Sequence, residues 1–222
     1  MSWIGGKKSL RELIVSLFPL YYERYIEVFG GAGWILFHKN PGNDFEVYND
    51  YNSLLVNLYR CVREKPNELM DALRYCLNSR EDFDYIKNCL ARDSPVSDVQ
   101  KAAWFYQQIR YSYASGLTSF GSQPHDIWSN FPLIEQAHRR LAKVVIENKD
   151  FEKPPLNCTC TQLNRVFPMP ALKQVKCFVM ALAVIKMKRK RKNIFQMHFM
   201  DLLPWKNKVM MISFNIVLAG CS

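Results

Sequence analysis

The chain has 222 residues, 49% hydrophobic and 14% aromatic, enough to bury the core of one ordinary domain with an insertion. Its seven cysteines are an odd number without a CxxC pair, which argues against a disulfide scaffold and for reduced thiols in a cytoplasmic protein; a monomer is expected. Its formal net charge is +10, no apolar run reaches the length of a membrane span, and Arg11 and Glu12 break the apolar part of the N-terminus, so neither a membrane anchor nor a secretory leader is expected.

In KKSLRELIVSLF (7–18), Leu10, Leu13, Ile14 and Leu17 share one helical face, and Pro19 stops the helix. YIEVF (25–29) reads as a buried strand. Three glycines follow within four positions (Gly30, Gly31, Gly33), then a helix to about His38. NPGND is a turn. FEVY is a second strand ending at Asn49 and Asp50, and a helix follows with Leu54, Leu55, Leu58 and Val62 in register. This order of strand, Gly-rich turn, helix, strand and acid is that of a nucleotide-binding α/β unit. Pro66 opens a further helix, Ser79 to Asp82 carries a capping signal for another, and 96–111 forms a third with Val99, Ala102, Ala103 and Ile109 apolar. SYASGLTSFGSQPHDIWSN is a loop or hairpin. Pro132 starts a helix to about Leu141, and VVIEN returns as a strand.

Glycine at the turn after a strand permits positive φ or close approach of a ligand. Asp50 lies 17 residues past Gly33 at the end of the next strand, where a carboxylate can accept both hydroxyls of a ribose; it can equally cap the helix that follows. SWIGGKKSL adds an aromatic ring and lysines ahead of the first helix.

WIGGK, EVFGGAGWILFHK, VYNDYNSLLVNLYR and IRYSYASGLTSFG, in this order across about 2–153, resemble the Dam-type adenine-specific DNA methyltransferases, many of them from prophages. The resemblance implies a Rossmann-like, S-adenosylmethionine-dependent α/β fold with a helical target-recognition insertion, acting on double-stranded DNA without a metal. It implies an S-adenosylmethionine-binding part at 1–61, the DNA-binding insertion at 62–140 and a return strand at 141–153. Trp3 and Lys7 would contact S-adenosylmethionine, Lys7 near its carboxylate. Phe29, Gly30, Gly31 and Gly33 would floor the pocket, and Asp50 would hold the ribose. Arg110, Tyr111, Tyr113 and Ser119 lie in the DNA-facing hairpin region; Arg139 and Arg140 are candidates for phosphate contacts or for a solvated helix face.

The family's chemistry uses an Asp-Pro-Pro-Tyr tetrapeptide, whose carboxylate and proline carbonyl accept hydrogen bonds from the amine of a flipped-out adenine. No such tetrapeptide occurs in the 222 residues; the nearest, Lys153-Pro154-Pro155-Leu156, has a lysine where the carboxylate belongs. The chain as written is therefore expected to lack methyl transfer, with a non-catalytic DNA- or S-adenosylmethionine-binding remnant as the alternative. Composition breaks at the same place. Residues 1–153 hold 19 Lys and Arg against 19 Asp and Glu, whereas 154–222 hold 11 against Asp201 alone. A reading-frame shift near codon 154, or else a divergent C-terminal half, accounts for the break, and with it the C-terminal strands of the sheet are expected to be missing or aberrant. KMKRKRK (186–192), the Asn157 sequon and the Cys158/Cys160 pair fall in this tail. None is assigned a role; in particular, no second cysteine pair has the spacing that would complete a zinc site.

Overall fold

The computed structural model describes residues 7–18, 22–42, 44–122, 124, 126–150, 177–180 and 209–211. Trp3, Lys153 to Leu156, the Asn157 sequon, Cys158, Cys160 and the basic run 186–192 lie outside them.

Seven α-helices and five strands are described. They are α1 (Arg11–Ser16), β1 (Arg24–Glu27), α2 (Trp34–His38), β2 (Phe45–Asn49), α3 (Ser53–Glu64), α4 (Pro66–Leu73), α5 (Arg80–Ala91), α6 (Asp98–Tyr111), α7 (Phe131–Leu141), β3 (Val145–Glu147), β4 (Cys177–Met180) and β5 (Val209–Met211). The helix expected at 7–18 is tighter at its start, with a 3-10 turn at Lys8–Leu10 before α1. Side-chain caps fall where short polar residues precede apolar periodicity: Ser79 Oγ accepts from the Asp82 N–H at 3.0 Å and Ser97 Oγ from that of Gln100 at 3.2 Å. Asn52 caps α3 through the Leu55 N–H at 3.1 Å, so the cap of that helix is Asn52 and not Asp50.

The five strands form one parallel sheet in the order β3-β2-β1-β4-β5. Parallel neighbours need long crossovers, which α2 supplies between β1 and β2 and which α3 through α7 supply between β2 and β3. The chain builds outward from β1 to β3 and then crosses to the other side of β1. The order therefore reverses between β1 and β4. The sequence led us to expect C-terminal strands missing or aberrant; they are not missing, since 177–180 pairs along β1 and 209–211 along β4.

The main core cluster packs against Tyr25, Tyr48 and Ile146 of the sheet, and Ile26 and Val47, on the alternate positions of β1 and β2, are buried too. α3 turns Leu55, Val56, Leu58, Tyr59 and Val62 inward, and α6 meets them with Ala102, Ala103, Phe105, Tyr106 and Ile109. α4 and α5 pack on α6, and α7 packs on α3 and α4. No described helix is long and apolar enough to cross a membrane, and no cluster of three or more metal-ligating side chains occurs among the described residues.

Candidate functional site

In open parallel sheets, ligands bind outside the carboxyl ends of the strands where the strand order reverses. Here that place is the end of β1, and the Gly-rich loop 29–33 fills it. Gly31 and Gly33 have φ of +52° and +65°, a left-handed backbone that side chains with a Cβ rarely adopt. Gly30 is required for a different reason: a Cβ there would stand 2.1 Å from Cε2 of Tyr48. The Tyr48 ring closes the loop from below, and its hydroxyl donates to the Gly31 carbonyl at 2.6 Å.

Asp50 joins the loop to the next helix. Its Oδ2 accepts the Gly31 N–H at 2.7 Å and its Oδ1 accepts the Asn52 N–H at 2.8 Å. Asn49 ties three strand ends together: its side-chain amide donates to the carbonyls of Val28 and Lys149, both at 3.0 Å, and accepts the Lys149 N–H at 2.9 Å. The Gly-rich loop, Asp50 and the exit of β3 thus form one hydrogen-bonded rim.

Beneath the rim lies a buried ion pair. Lys7 Nζ stands 3.2 Å from Glu27 Oε1 and donates to the Phe29 carbonyl at 2.5 Å. Side-chain exposure is 6% for Lys7 and 0% for Glu27. The other oxygen of Glu27 accepts from the Tyr25 hydroxyl at 3.1 Å and from the N–H of Leu36, third residue of α2, at 3.2 Å. Glu27 therefore satisfies an orphan donor at the start of that helix, where the N-cap, Gly33, has no side chain to do so. Burial holds the Glu27 carboxyl above the usual range, against the opposing pull of Lys7, Tyr25 and the Leu36 N–H.

Of the expected cofactor residues, Lys7, Phe29, Gly30, Gly31, Gly33 and Asp50 are brought together here. Two residues that sequence reasoning missed, Glu27 and Tyr48, hold them. The signal for Glu27 was an acid in the middle of an otherwise apolar strand.

The expected DNA-facing residues divide. The segment after α6 is a small hairpin: Ser112 bridges Phe120, the Tyr113 N–H donates to Ser119 at 2.8 Å, and the Gly121 N–H donates to Tyr111 at 2.6 Å. Its tip holds Ala114, Ser115 and Leu117 at φ of 49°, 56° and 61°. Phe120 packs on Phe83 and under Arg80, and Lys87 donates to the Thr118 carbonyl, which pins the hairpin to α5. Tyr113 and Ser119 are exposed on it, as is Arg139 on α7. Tyr111 is corrected: its ring is buried in the core and cannot face DNA. Arg140 is corrected too. It is no phosphate contact but clamps Glu46 with both guanidinium nitrogens, at 2.5 and 2.7 Å, and donates to the Leu36 carbonyl at 2.9 Å. Lys39 completes that cluster at 2.5 Å from Glu46 and 3.0 Å from Asp44. Arg110 lines a cavity of about 380 Å³ between α2, α3, α6 and α7, walled by Trp34, Phe37, Tyr59 and Tyr106. Ala32 of the Gly-rich loop reaches this cavity, so loop and helical insertion share a wall.

The family model described as D12 class N6 adenine-specific DNA methyltransferase matches residues 3–125, more than half of the chain. Among curated proteins, the type II methyltransferase M1.LlaDCHI of Lactococcus lactis subsp. cremoris is 31% identical over 115 residues, covering 50% of this chain and 40% of that protein. The DNA N-6-adenine-methyltransferase of Escherichia phage P1 is 29% identical over 121 residues, covering 53% of this chain and 15% of that protein. The matched part thus spans less than half the length of either relative.

Proposed function

The chain belongs to the D12 class N6 adenine-specific DNA methyltransferase family, and from that premise we propose that it carries the S-adenosylmethionine-binding and DNA-gripping half of an enzyme that methylates the exocyclic amine of adenine in DNA. The observation that carries the proposal is the Gly31–Asp50 hydrogen bond, which joins the carboxyl end of β1, the strand beside which the order reverses, to that of β2. It sets a carboxylate, an acceptor for ribose hydroxyls, beside a positive-φ glycine loop that a ligand can approach closely. Asp50 would accept the ribose hydroxyls, Gly30, Gly31 and Gly33 would floor the pocket, and Trp3 and Lys7 would bound it at the amino-acid end. When bound, S-adenosylmethionine supplies an activated methyl group.

The helical insertion 62–140 would hold double-stranded DNA, with Tyr113 and Ser119 on the hairpin and Arg139 on α7 as the exposed contacts. Arg110 would act from the cavity wall that joins insertion to loop. No Asp-Pro-Pro-Tyr tetrapeptide occurs in the 222 residues. The carboxylate that would draw the adenine amine toward the methyl group is therefore not supplied by that motif here, and we ascribe its loss and the charge break after Lys153 to one reading-frame shift.

The test is to incubate the purified chain with methyl-labelled S-adenosylmethionine and unmethylated DNA and to count label in adenine, alongside binding of each ligand. Binding of both without incorporation supports a methyltransferase lacking its catalytic carboxylate. Incorporation supports the family activity and refutes the loss. A chain that binds neither ligand refutes the proposal.

A further inference from the structure

A buried carboxylate with three polar neighbours is more than a helix cap. Lys7 presents three N–H donors; Glu27 and the Phe29 carbonyl take two of them. Among the described residues these are its two partners, and the Phe29 carbonyl fixes the ammonium at the very start of the Gly-rich loop. A buried ammonium needs a compensating carboxylate, since an uncompensated buried charge is costly. Glu27 is that carboxylate. Tyr25 and the Leu36 N–H hold it from the opposite side, so its reach toward Lys7 is set by β1 and α2 rather than by a mobile side chain.

We infer that Glu27 is a positioning residue for the amino-acid end of the cofactor: it holds the Lys7 side chain in place so that its third N–H would meet a ligand carboxylate at the mouth of the loop. This rests on the cofactor assignment above. Glu27 touches no part of the ligand; it acts through Lys7.

The distinguishing readout is a ligand comparison. S-adenosylmethionine and its decarboxylated form share sulfonium, amine, ribose and base, and differ in the carboxylate alone. Isothermal titration of the full chain should show wild type favouring S-adenosylmethionine. Glu27→Gln should weaken S-adenosylmethionine by about tenfold or more, the scale of one charge-assisted hydrogen bond, while changing the decarboxylated ligand less than about twofold. Equal weakening toward both ligands would make Glu27 structural only and overturn the inference, as would unchanged affinity for S-adenosylmethionine. If Glu27→Gln does not fold, Glu27→Asp withdraws the charge by one methylene and carries the same comparison. A wild-type chain that binds neither ligand overturns the cofactor assignment itself, and this inference with it.

Discussion

Replacing Gly30 with alanine tests how the loop is built. A Cβ at this position would lie 2.1 Å from Cε2 of Tyr48 and 2.6 Å from both Cδ2 and Cζ. Ordinary carbon contacts lie at about 3.5–4.0 Å, so the ring must retreat by roughly 1.5 Å. Its retreat is blocked, because Tyr48 is 1% exposed and packs edge-on against Tyr59 with centroids 4.9 Å apart. Overpacking of this kind costs about 1–3 kcal/mol. The same movement breaks the bond from the Tyr48 hydroxyl to the Gly31 carbonyl, another 1–3 kcal/mol or so for a group left unpaired. The expected loss is about 4 kcal/mol, a large part of the 5–15 kcal/mol typical of a domain. With a urea slope near 2 kcal/mol/M, the midpoint should fall by about 2 M. Urea unfolding followed by near-ultraviolet circular dichroism measures it, in wild type and on a Tyr48→Leu background. Without the ring, Gly30→Ala should cost less than about 1 kcal/mol, a coupling of roughly 3 kcal/mol. An equal cost in both backgrounds, or a cost under about 0.5 kcal/mol with Tyr48 present, refutes steric exclusion by that ring.

Arg140→Met strips Glu46 of its bidentate partner and should cost about 3–5 kcal/mol, as expected for a buried pair broken on one side. Burial alone would raise the Glu46 carboxyl, but the hydrogen bonds from Arg140 and Lys39 outweigh it and hold its pKa below the ordinary value. A depressed folded pKa stabilises at pH above the unfolded value, near 4.3, and that stability is lost as pH falls through the folded one. Wild type should therefore show an acid limb in urea titrations below about pH 4.3 that Glu46→Gln flattens; an unchanged limb refutes the assignment. Asp50→Asn should lower S-adenosylmethionine affinity at least about tenfold, with a stability loss near 1–3 kcal/mol because an amide N–H₂ then opposes a backbone donor. Unaltered titration heats for this variant would exclude Asp50 from the pocket. Arg139→Ala and Tyr113→Ala should each leave stability within about 0.5 kcal/mol. In DNA-binding anisotropy across a salt series, Arg139→Ala should shallow the log–log slope by about 0.9, while Tyr113→Ala should weaken binding without changing it. Identical slopes for Arg139→Ala and wild type would remove Arg139 from the phosphate contacts.

Much of the scaffold was legible because its signals are local. The periodicity of α3 and α6, the Ser79 cap and the turn glycines each act within a few residues, and the structure bears them out. What was illegible depends on partners far along the chain. Glu27 and Glu46 look out of place in buried strands until Lys7 and Arg140 arrive from 20 and 94 residues away. Arg140 and Arg139 are adjacent and chemically alike; only the helix phase against β2 turns one inward and one out. Tyr111 and Tyr113 differ in the same way, at 4% and 73% exposed, because α6 ends between them. Asn52 took the capping role from Asp50 because α3 starts later than the charge pattern suggests.

The strand order also sets a schedule for synthesis. β1 lies in the middle of the sheet. One of its edges is matched by β2, made almost immediately afterwards; the other waits for Cys177–Met180. At a translation rate of about 5–20 residues per second, that second edge stays open for roughly ten to thirty seconds on the ribosome. During that interval a strand carrying Tyr25 and Ile26 has unpaired amides on one side, the condition under which nascent chains pair with each other.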